Sequence, residues 1–497
     1  MYSRHAPPRA SAMLEALRGL GYTTAGALAD IIDNSIAAFA STVDIHFRWD
    51  SQVSSISILD NGSGMDALEL DRAMRLGERS PLEDRESHDL GRFGFGLKTA
   101  SFSQCRRLTV ASRKNDATNC LRWDLDVLAS SNDDGWYLLE VPAKSFEKIL
   151  RPLESVKSGT LVIWEALDRL VTPGFTQQDF LDLMDRVEQH LAMVFHRYLE
   201  GSHPRLRILL NDRPVAPWDP FLPNPATWSS PIESLATSCG NVVVQCHVLP
   251  HKDHLESQEY QRAAGPEGWT GQQGFYVYRN ERLLVAGSWL GLGHGRSWTK
   301  EEAHRLARIR LDITNSADSE WKLDIRKSTA RPPLALRPRL TKLAEDTRKR
   351  ARRVFAHRGS AVTFGSSDTL VQAWRTEHSP AGIRYRIDEE HPVIKTVLED
   401  AGSMRPQIHA MLRVIEETVP VQRIWLDTTE EKEVPRIDFS CDPSTEVLKV
   451  LGVIFRNMVI KKGMDPSLAR AQLLRTEPFN NYCDLVMSLP DEPDDRM

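Results

Sequence analysis

Apolar and polar residues alternate over 43–48 and again over 54–59, the two-residue spacing of half-buried strands. Between them and the N-terminus, residues 28–39 form an apolar, helix-favouring run. A helix over 11–20 is predicted from Met13, Leu14, Leu17 and Leu20, and it stops at Gly21. Further strands are predicted at 108–112, 120–125 and 137–141, with Asn132-Asp133-Asp134-Gly135 as a turn; an apolar run over 161–164 and a helix over 176–199 follow. From Pro204 the character changes. Residues 206–210 read as a strand, Asn211-Asp212-Arg213-Pro214 as a turn and Val215 as a new strand, with more strands at 242–249, 274–279 and 305–312. Residues 334–358 are helical and basic, and a small polar linker, 359–367, separates them from helical spacing in 393–399, 406–417 and 445–461. Three domains are therefore expected, at 1–200, 201–358 and 359–497, the last mostly helical.

Composition changes this picture little. At 497 residues and 41% apolar the chain can bury several cores. Its net charge of −5 does not announce a nucleic-acid binder. Cys105, Cys120, Cys239, Cys246, Cys441 and Cys483 are scattered without a Cys-x-x-Cys pair, which points to free thiols in a reducing cytoplasm rather than a disulfide frame or zinc site. No apolar run approaches the ~20 residues of a membrane span, and the N-terminus lacks a signal-peptide core, so a soluble cytoplasmic protein is expected.

The chemistry concentrates between residues 25 and 105. Asp30 and Asn34, four apart on one helix face, converge a carboxylate and an amide, a pairing suited to a water-activating base beside a Mg2+ ligand. Asp60 ends a strand with an acceptor, and Gly62 and Gly64 let the following backbone turn tightly, with positive φ, and approach a flat ring. Gly91, Gly94 and Gly96 form a loop of free amides leading into a helix, a natural phosphate cradle, and Lys98 adds a point charge. No P-loop sequence is present, and no strand ends directly before Gly91 as a Rossmann loop would need.

Taken in this order, Asp30-Ile31-Ile32-Asp33-Asn34, Asp60-Asn61-Gly62-Ser63-Gly64-Met65 and Gly91-Arg92-Phe93-Gly94-Phe95-Gly96-Leu97-Lys98 resemble the ATP-binding motifs of the GHKL superfamily: gyrase B subunits, large heat-shock chaperones, sensor histidine kinases and MutL. The wording LGRFGFGLKTAS is most similar to its MORC-like branch, and LLNDRPVAPWDPF and GFYVYRNERLLVAGSWLGLG resemble the transducer domain of MORC- and MutL-like ATPases. The resemblance implies an α+β protein: a Bergerat-type ATP-binding α/β sandwich, a transducer-like α/β domain and a mostly helical C-terminal region. It assigns Asp30 as general base, Asn34 as Mg2+ ligand, Asp60 as the adenine contact, Gly62, Gly64 and Met65 as the turn beneath the base, and 91–98 as the lid over the triphosphate. Ser158-Gly159-Thr160 resembles the last motif, where Thr160 supports Asp60. A transducer lysine is implied to read the γ-phosphate; Lys327 is the choice, with Lys322 and Arg326 as rivals. One departure stands out. The family places Glu where this chain has Asp30, which is shorter by one C–C bond of ~1.5 Å, so slow hydrolysis is expected.

The resemblance also implies ATP and Mg2+ as cofactors, homodimerisation on ATP binding, and a restriction-type DNA-defence setting with nuclease or methylase partner proteins. The arm and Tyr22 are either candidates for exchange between subunits or part of an ordinary helix packed on its own domain. Arg348, Lys349, Arg350, Arg352 and Arg353 are the candidate contacts to a phosphate backbone. Two alternatives use the same motifs: a chaperone clamp on protein clients, and a scaffold that binds ATP without turnover. Asp427, Glu430 and Lys432 sketch a metal nuclease, but they crowd one acidic turn and read as surface.

Overall fold

The structure, a computed structural model, describes residues 8–78, 96–130, 135–140, 150–237, 240–314, 317, 320–324, 329–356, 371–379, 382–421, 445–461, 463–476, 479 and 482–491. The chain divides into two compact units, Met1–Ala356 and His357–Met497. The first contains two sheets.

The first sheet is built from β1 (Thr42–Arg48), β2 (Ser55–Asp60), β3 (Arg107–Lys114), β4 (Ala117–Asp124), β5 (Leu139–Glu140), β6 (Gly159–Glu165), β7 (Arg207–Leu210) and β8 (Arg213–Pro214), in the order β5-β4-β3-β6-β2-β1-β7-β8. Around it lie α1 (Ala10–Arg18), α2 (Thr24–Ala37), α3 (Ala67–Met74), α4 (Gly96–Phe102), α5 (Leu125–Ser130), α6 (Gln177–Val194) and α7 (His196–Leu199). Strand alternation decides what lies on each face. Ile56, Ile58, Val110, Val162 and Trp164 share a core with Leu28, Ile31 and Ile32 of α2, Phe102 of α4 and Leu191 of α6. Their neighbours Ala111, Leu161 and Ile163 form a smaller cluster with Leu153. The helix predicted over 176–199 breaks at Phe195, which is buried between α6 and α7.

One domain boundary moves. Residues 206–214 were expected to open the second domain, but β7 pairs in parallel with β1 and β8 follows it on the first sheet. Leu206, Ile208 and Leu210 are buried in the first core, and the Asn211 side chain accepts from Phe47 N at 2.7 Å and donates to Phe47 O at 3.2 Å. The pairing covers the backbone edge that β1 would otherwise expose.

The second sheet comprises β9 (Trp228–Ser229), β10 (Glu233–Thr237), β11 (Gly240–Val248), β12 (Gly274–Arg279), β13 (Arg282–Ser288) and β14 (Ala307–Ile313), ordered β10-β11-β14-β12-β13 with β9 on β11. Helices α8 (Ser257–Ala264) and α9 (Gly268–Gly271) lie between β11 and β12 in sequence, and α10 (Arg337–Ala356) buries Leu340, Ala344 and Ala351 in the core of this sheet. The β12–β13 hairpin turns through Asn280 and Glu281, both at positive φ (48° and 67°), the two-residue turn whose twist suits adjoining strands. This hairpin docks on the first domain: His196 pairs with the Tyr278 hydroxyl at 2.8 Å, and Tyr198 donates to Asn280 O at 2.6 Å.

The second unit is more than helical. Besides helices Pro392–Asp400, Arg405–Thr418, Thr445–Arg456, Pro466–Leu473 and Cys483–Met487, it holds an antiparallel hairpin, β15 (Trp374–Ser379) and β16 (Gly382–Ile387). Arg375, Glu377, Arg384 and Arg386 lie on its strands, so no apolar alternation announces them. Arg386 is held by Glu416 at 2.7 Å instead. Among the described residues no helix is long and apolar enough to cross a membrane. Cys105 and Cys246 are buried thiols, as expected for core cysteines, whereas Cys483 is exposed. The acidic turn with Asp427, Glu430 and Lys432, and the tail beyond Asp491, lie outside the described residues.

Candidate active site

Three adjacent strands bring three side chains into one row. Asp60, the last residue of β2, sits opposite Thr160 at the start of β6, and Ser112 of β3 sits opposite the same Thr160. The Asp60 carboxylate is buried, and its two oxygens have different partners. Oδ1 accepts from Gly62 N at 2.9 Å and Thr160 N at 3.2 Å, while Oδ2 accepts from the Ser35 hydroxyl of α2 at 2.9 Å. Burial pushes the Asp60 carboxyl above the usual carboxylate range, against the pull of those three donors. A carboxylate fastened this way is an acceptor of fixed direction, which reading an exocyclic amine requires.

The turn after Asp60 is shaped by close approach. Gly64 has φ +65°, and a Cβ there would stand 2.0 Å from Arg113 O. Gly62 differs from expectation: its φ is not positive, and its small size serves instead to clear Ala38 O, which a Cβ would meet at 2.8 Å. Ser158 donates to Gly62 O at 2.8 Å and Ser112 accepts from Met65 N at 2.8 Å, so the whole turn is tied to the sheet. Ser112 also lies 3.0 Å from the Thr160 hydroxyl.

Helix α2 begins at Thr23, whose hydroxyl accepts from Gly26 N, and runs beside this row. Its Asp30 and Asp33 are 4% and 1% exposed, while Asn34 between Asp33 and Ser35 is exposed. Asn34 thus presents a neutral carboxamide oxygen at the accessible edge of an otherwise buried turn, a hard donor that fits Mg2+. Asp30 Oδ2 accepts from the Tyr22 hydroxyl at 2.9 Å, and Oδ1 lies 3.6 Å from Nη2 of Arg282. The Arg282 Nε contacts Asp33 at 3.1 Å. Burial and the neighbouring Asp30 charge push the Tyr22 phenol far above its ordinary value, so it stays a donor.

The lid residues Gly91, Arg92, Phe93, Gly94 and Phe95 lie outside the described residues, as do Arg326 and Lys327. Gly96 opens α4, Leu97 packs on the first core, and Lys98 is buried. The Lys98 ammonium donates to Ala73 O of α3 at 2.8 Å, and desolvation lowers its pKa to about 8. In this form it is turned inward rather than standing as an open point charge. Lys322 is exposed, and Asp324 accepts from Thr329 N at 2.8 Å, bracketing the 325–328 segment; the Asp324 charge reaches the Tyr22 phenol.

The basic helix divides. Arg348 is 8% exposed and stacks between Trp289 and Trp298, with its guanidinium 4.8 Å from each ring. Arg350 lies 3.9 Å over Trp228, and Lys349 pairs with Glu345 at 2.7 Å. Arg352 and Arg353 are exposed. Three of the five basic candidates therefore have structural partners; the Glu345–Lys349 pair follows from helical spacing, whereas the tryptophans under Arg348 and Arg350 lie far away in the chain.

Tyr22, a candidate for dimer exchange by resemblance, bonds Asp30 within its own chain, and Ser35, Ser112 and Arg282 join the site without having been singled out by any motif role. A serine flanking Asn34 and another inside an apolar strand were faint signals for the first two; Arg282 had none.

The mixed sheet backed by α2, α4 and α6, with an acid at the end of β2 and a Gly turn behind it, defines a GHKL-type ATP-binding domain. Residues 22–160 match the family described as histidine kinase-, DNA gyrase B- and HSP90-like ATPase. The chain is similar to MORC ATPases: it is 30% identical to ATPase MORC2 of Homo sapiens over 200 residues, 38% of this chain and 19% of that protein. ATPase MORC2A of Mus musculus matches to the same extent, and ATPase MORC2B of Mus musculus is 32% identical over 99 residues, 19% of this chain and 10% of its own. The chain thus spans about a fifth of the length of the curated relatives it matches.

Proposed function

We propose that the protein is an ATP-Mg2+ switch that hydrolyses ATP slowly and closes as a homodimer on DNA. The observation that carries this reading is the convergence of Asp60, fastened by two backbone amides and Ser35, with Asp30 and Asn34 on α2. Adenine docks its amine on Asp60 over the Gly62–Gly64 turn. Asn34 would hold a magnesium ion, which would supply charge neutralisation for the phosphates. Asp30, held by Tyr22, orients the attacking water and takes its proton. The relatives' printed names support the ATPase activity, and the exposed Arg352 and Arg353 support contact with a phosphate backbone.

A switch needs contacts made only in the closed state, since ATP shifts an equilibrium only through differential affinity. Lys327, on the 325–328 segment bracketed by Asp324 and Thr329, is the proposed reader of the γ-phosphate. A second reading, ATP binding without turnover, is favoured by one observation: both oxygens of the short Asp30 are already engaged.

The test is ATP turnover and sedimentation together, for wild type and Asn34→Ala, with ATP-Mg2+ and a non-hydrolysable analogue. Analogue-driven dimerisation that Asn34→Ala abolishes supports the switch, and turnover then separates the two readings. No binding and no change of mass sinks both.

A further inference from the structure

Arg282 begins β13 on the transducer-like sheet, yet its guanidinium is 4% exposed and reaches α2 of the ATP-binding domain. Its Nε lies 3.1 Å from Asp33 Oδ1, its Nη2 lies 3.6 Å from Asp30 Oδ1, and its Nη1 donates to Leu283 O at 2.9 Å. Each of its nitrogens thus has a different partner. We propose that Arg282 is a positioning residue: through it the transducer-like sheet holds the Asp30 carboxylate in its working orientation.

The physical reasons are three. First, Asp30 and Asp33 are two buried carboxylates three apart on one helix, and such a pair repels unless a cation lies between them. Arg282 supplies charge to both at once, which its planar fork allows and a point charge does not. Second, the contact is anchored from behind. The Asn280–Glu281 turn fixes where β13 starts, and Tyr198 holds Asn280 O. The guanidinium also stands 6.0 Å over the Phe195 ring, and its charge, after burial, helps pull the half-buried His190 of α6 down to about 4, so His190 stands beside it uncharged. Third, Asp30 is short. A carboxylate lacking one methylene cannot swing to find its water, so its placement depends on what holds it from the side. Tyr22 holds one oxygen and Arg282 stands at the other. Movement of the second sheet, by this contact, is movement of the base.

This inference rests on the ATPase reading, and the experiment separates their failures. Four proteins are compared in full length: wild type, Arg282→Gln, Arg282→Lys and Asn34→Ala. Each is measured for affinity of a non-hydrolysable ATP analogue, for kcat, for nucleotide-free melting temperature, and for hydrogen exchange across α2. Arg282→Gln is expected to bind the analogue within about threefold of wild type while kcat falls by one to two orders of magnitude, roughly the effect of a misplacement near 1 Å. Exchange should rise over the Asp30–Asn34 turn without nucleotide. Arg282→Lys keeps the charge but loses the fork, and should recover part of kcat. Equal losses of affinity, melting temperature and kcat in Arg282→Gln, with no rescue by lysine, mean a merely structural contact and overturn the proposal. Unchanged kcat overturns it too, as does a wild type that binds the analogue but never turns over. If Asn34→Ala still binds as wild type does, the nucleotide reading itself has failed.

Discussion

The Tyr22 hydroxyl donates to Oδ2 of Asp30 at 2.9 Å, across the short stretch of chain that leads into α2. Tyr22 lies just ahead of the N-cap Thr23, so capping and the hold on Asp30 are set by adjacent residues. Tyr22→Phe removes the donor and keeps the ring. Turnover should drop about tenfold, the worth of one hydrogen bond to a charged group, with analogue affinity nearly unchanged. Steady-state kinetics beside a binding titration check this; a loss in affinity alone contradicts it.

Asp60→Asn exchanges one acceptor for a donor at the point where the adenine amine should dock. Analogue affinity should fall about a hundredfold. The same variant carries a pH signature. Because burial raises the Asp60 pKa in the folded state, the folded protein binds more protons than the unfolded one between the ordinary carboxylate value and the raised one. That contribution to stability is full below the ordinary value and is lost as pH rises through the raised one. Urea unfolding of nucleotide-free wild type minus Asp60→Asn should therefore show a difference that declines with rising pH.

Lys98 behaves in the opposite sense. Its folded pKa of about 8 lies below the ordinary 10.5, so between those values the unfolded chain binds the extra proton and stability rises with pH. The slope contributed approaches one proton, about 1.4 kcal/mol per pH unit. Lys98→Met should remove that slope and stabilise the nucleotide-free protein at pH 7. If Lys98 turns outward to the phosphates on closure, the variant also loses analogue affinity. Chemical denaturation from pH 7 to 10 and one titration decide both points.

Gly64→Ala places a Cβ 2.0 Å from Arg113 O, at a φ of +65°. Neither backbone can yield without breaking the β2–β6–β3 seam, so a cost of about 3 kcal/mol is expected. Thermal melting should show it, and analogue binding should be lost even where the fold survives.

Within α10, Arg348→Ala should lower stability, since that side chain fills the space between Trp289 and Trp298. Arg352→Ala with Arg353→Ala should leave the melting temperature alone and, if these residues meet DNA, reduce the salt slope of binding by about two. A slope that does not move assigns DNA contact elsewhere or nowhere.

The strands of the first sheet, helix α2 and the Asp60–Met65 turn were legible because burial on one face repeats with the element's own period, and residues nearby in sequence carry that signal. The placement of Asp30 and Asn34 on one helix and of Asp60 at a strand end was legible through spacing, and the roles proposed for them rest on the resemblance. What failed did so for identifiable reasons. The strand at β7 has the expected alternation, but alternation does not say which sheet a strand joins. The β15–β16 hairpin carries charges where a pattern would need apolar residues, and its partner Glu416 lies on a later helix. Arg348 and Arg350 read as candidate phosphate contacts because stacking on Trp289, Trp298 and Trp228 involves residues far away in the chain and leaves no local signal.

By itself, then, the sequence determined the elements of the ATP-binding domain and which side chains share a helix face or follow a strand, since helix faces, strand faces and glycine turns are written locally. Only the tertiary structure decided how those groups are held. Asp60 meets Thr160 N across 100 residues, and Arg282 meets Asp33 across 249. Lys98 finds Ala73 O, and a lysine predicted to greet phosphate is buried. Such contacts depend on how sheets and helices dock, and docking is set by the summed burial of whole faces, which no short stretch of residues encodes.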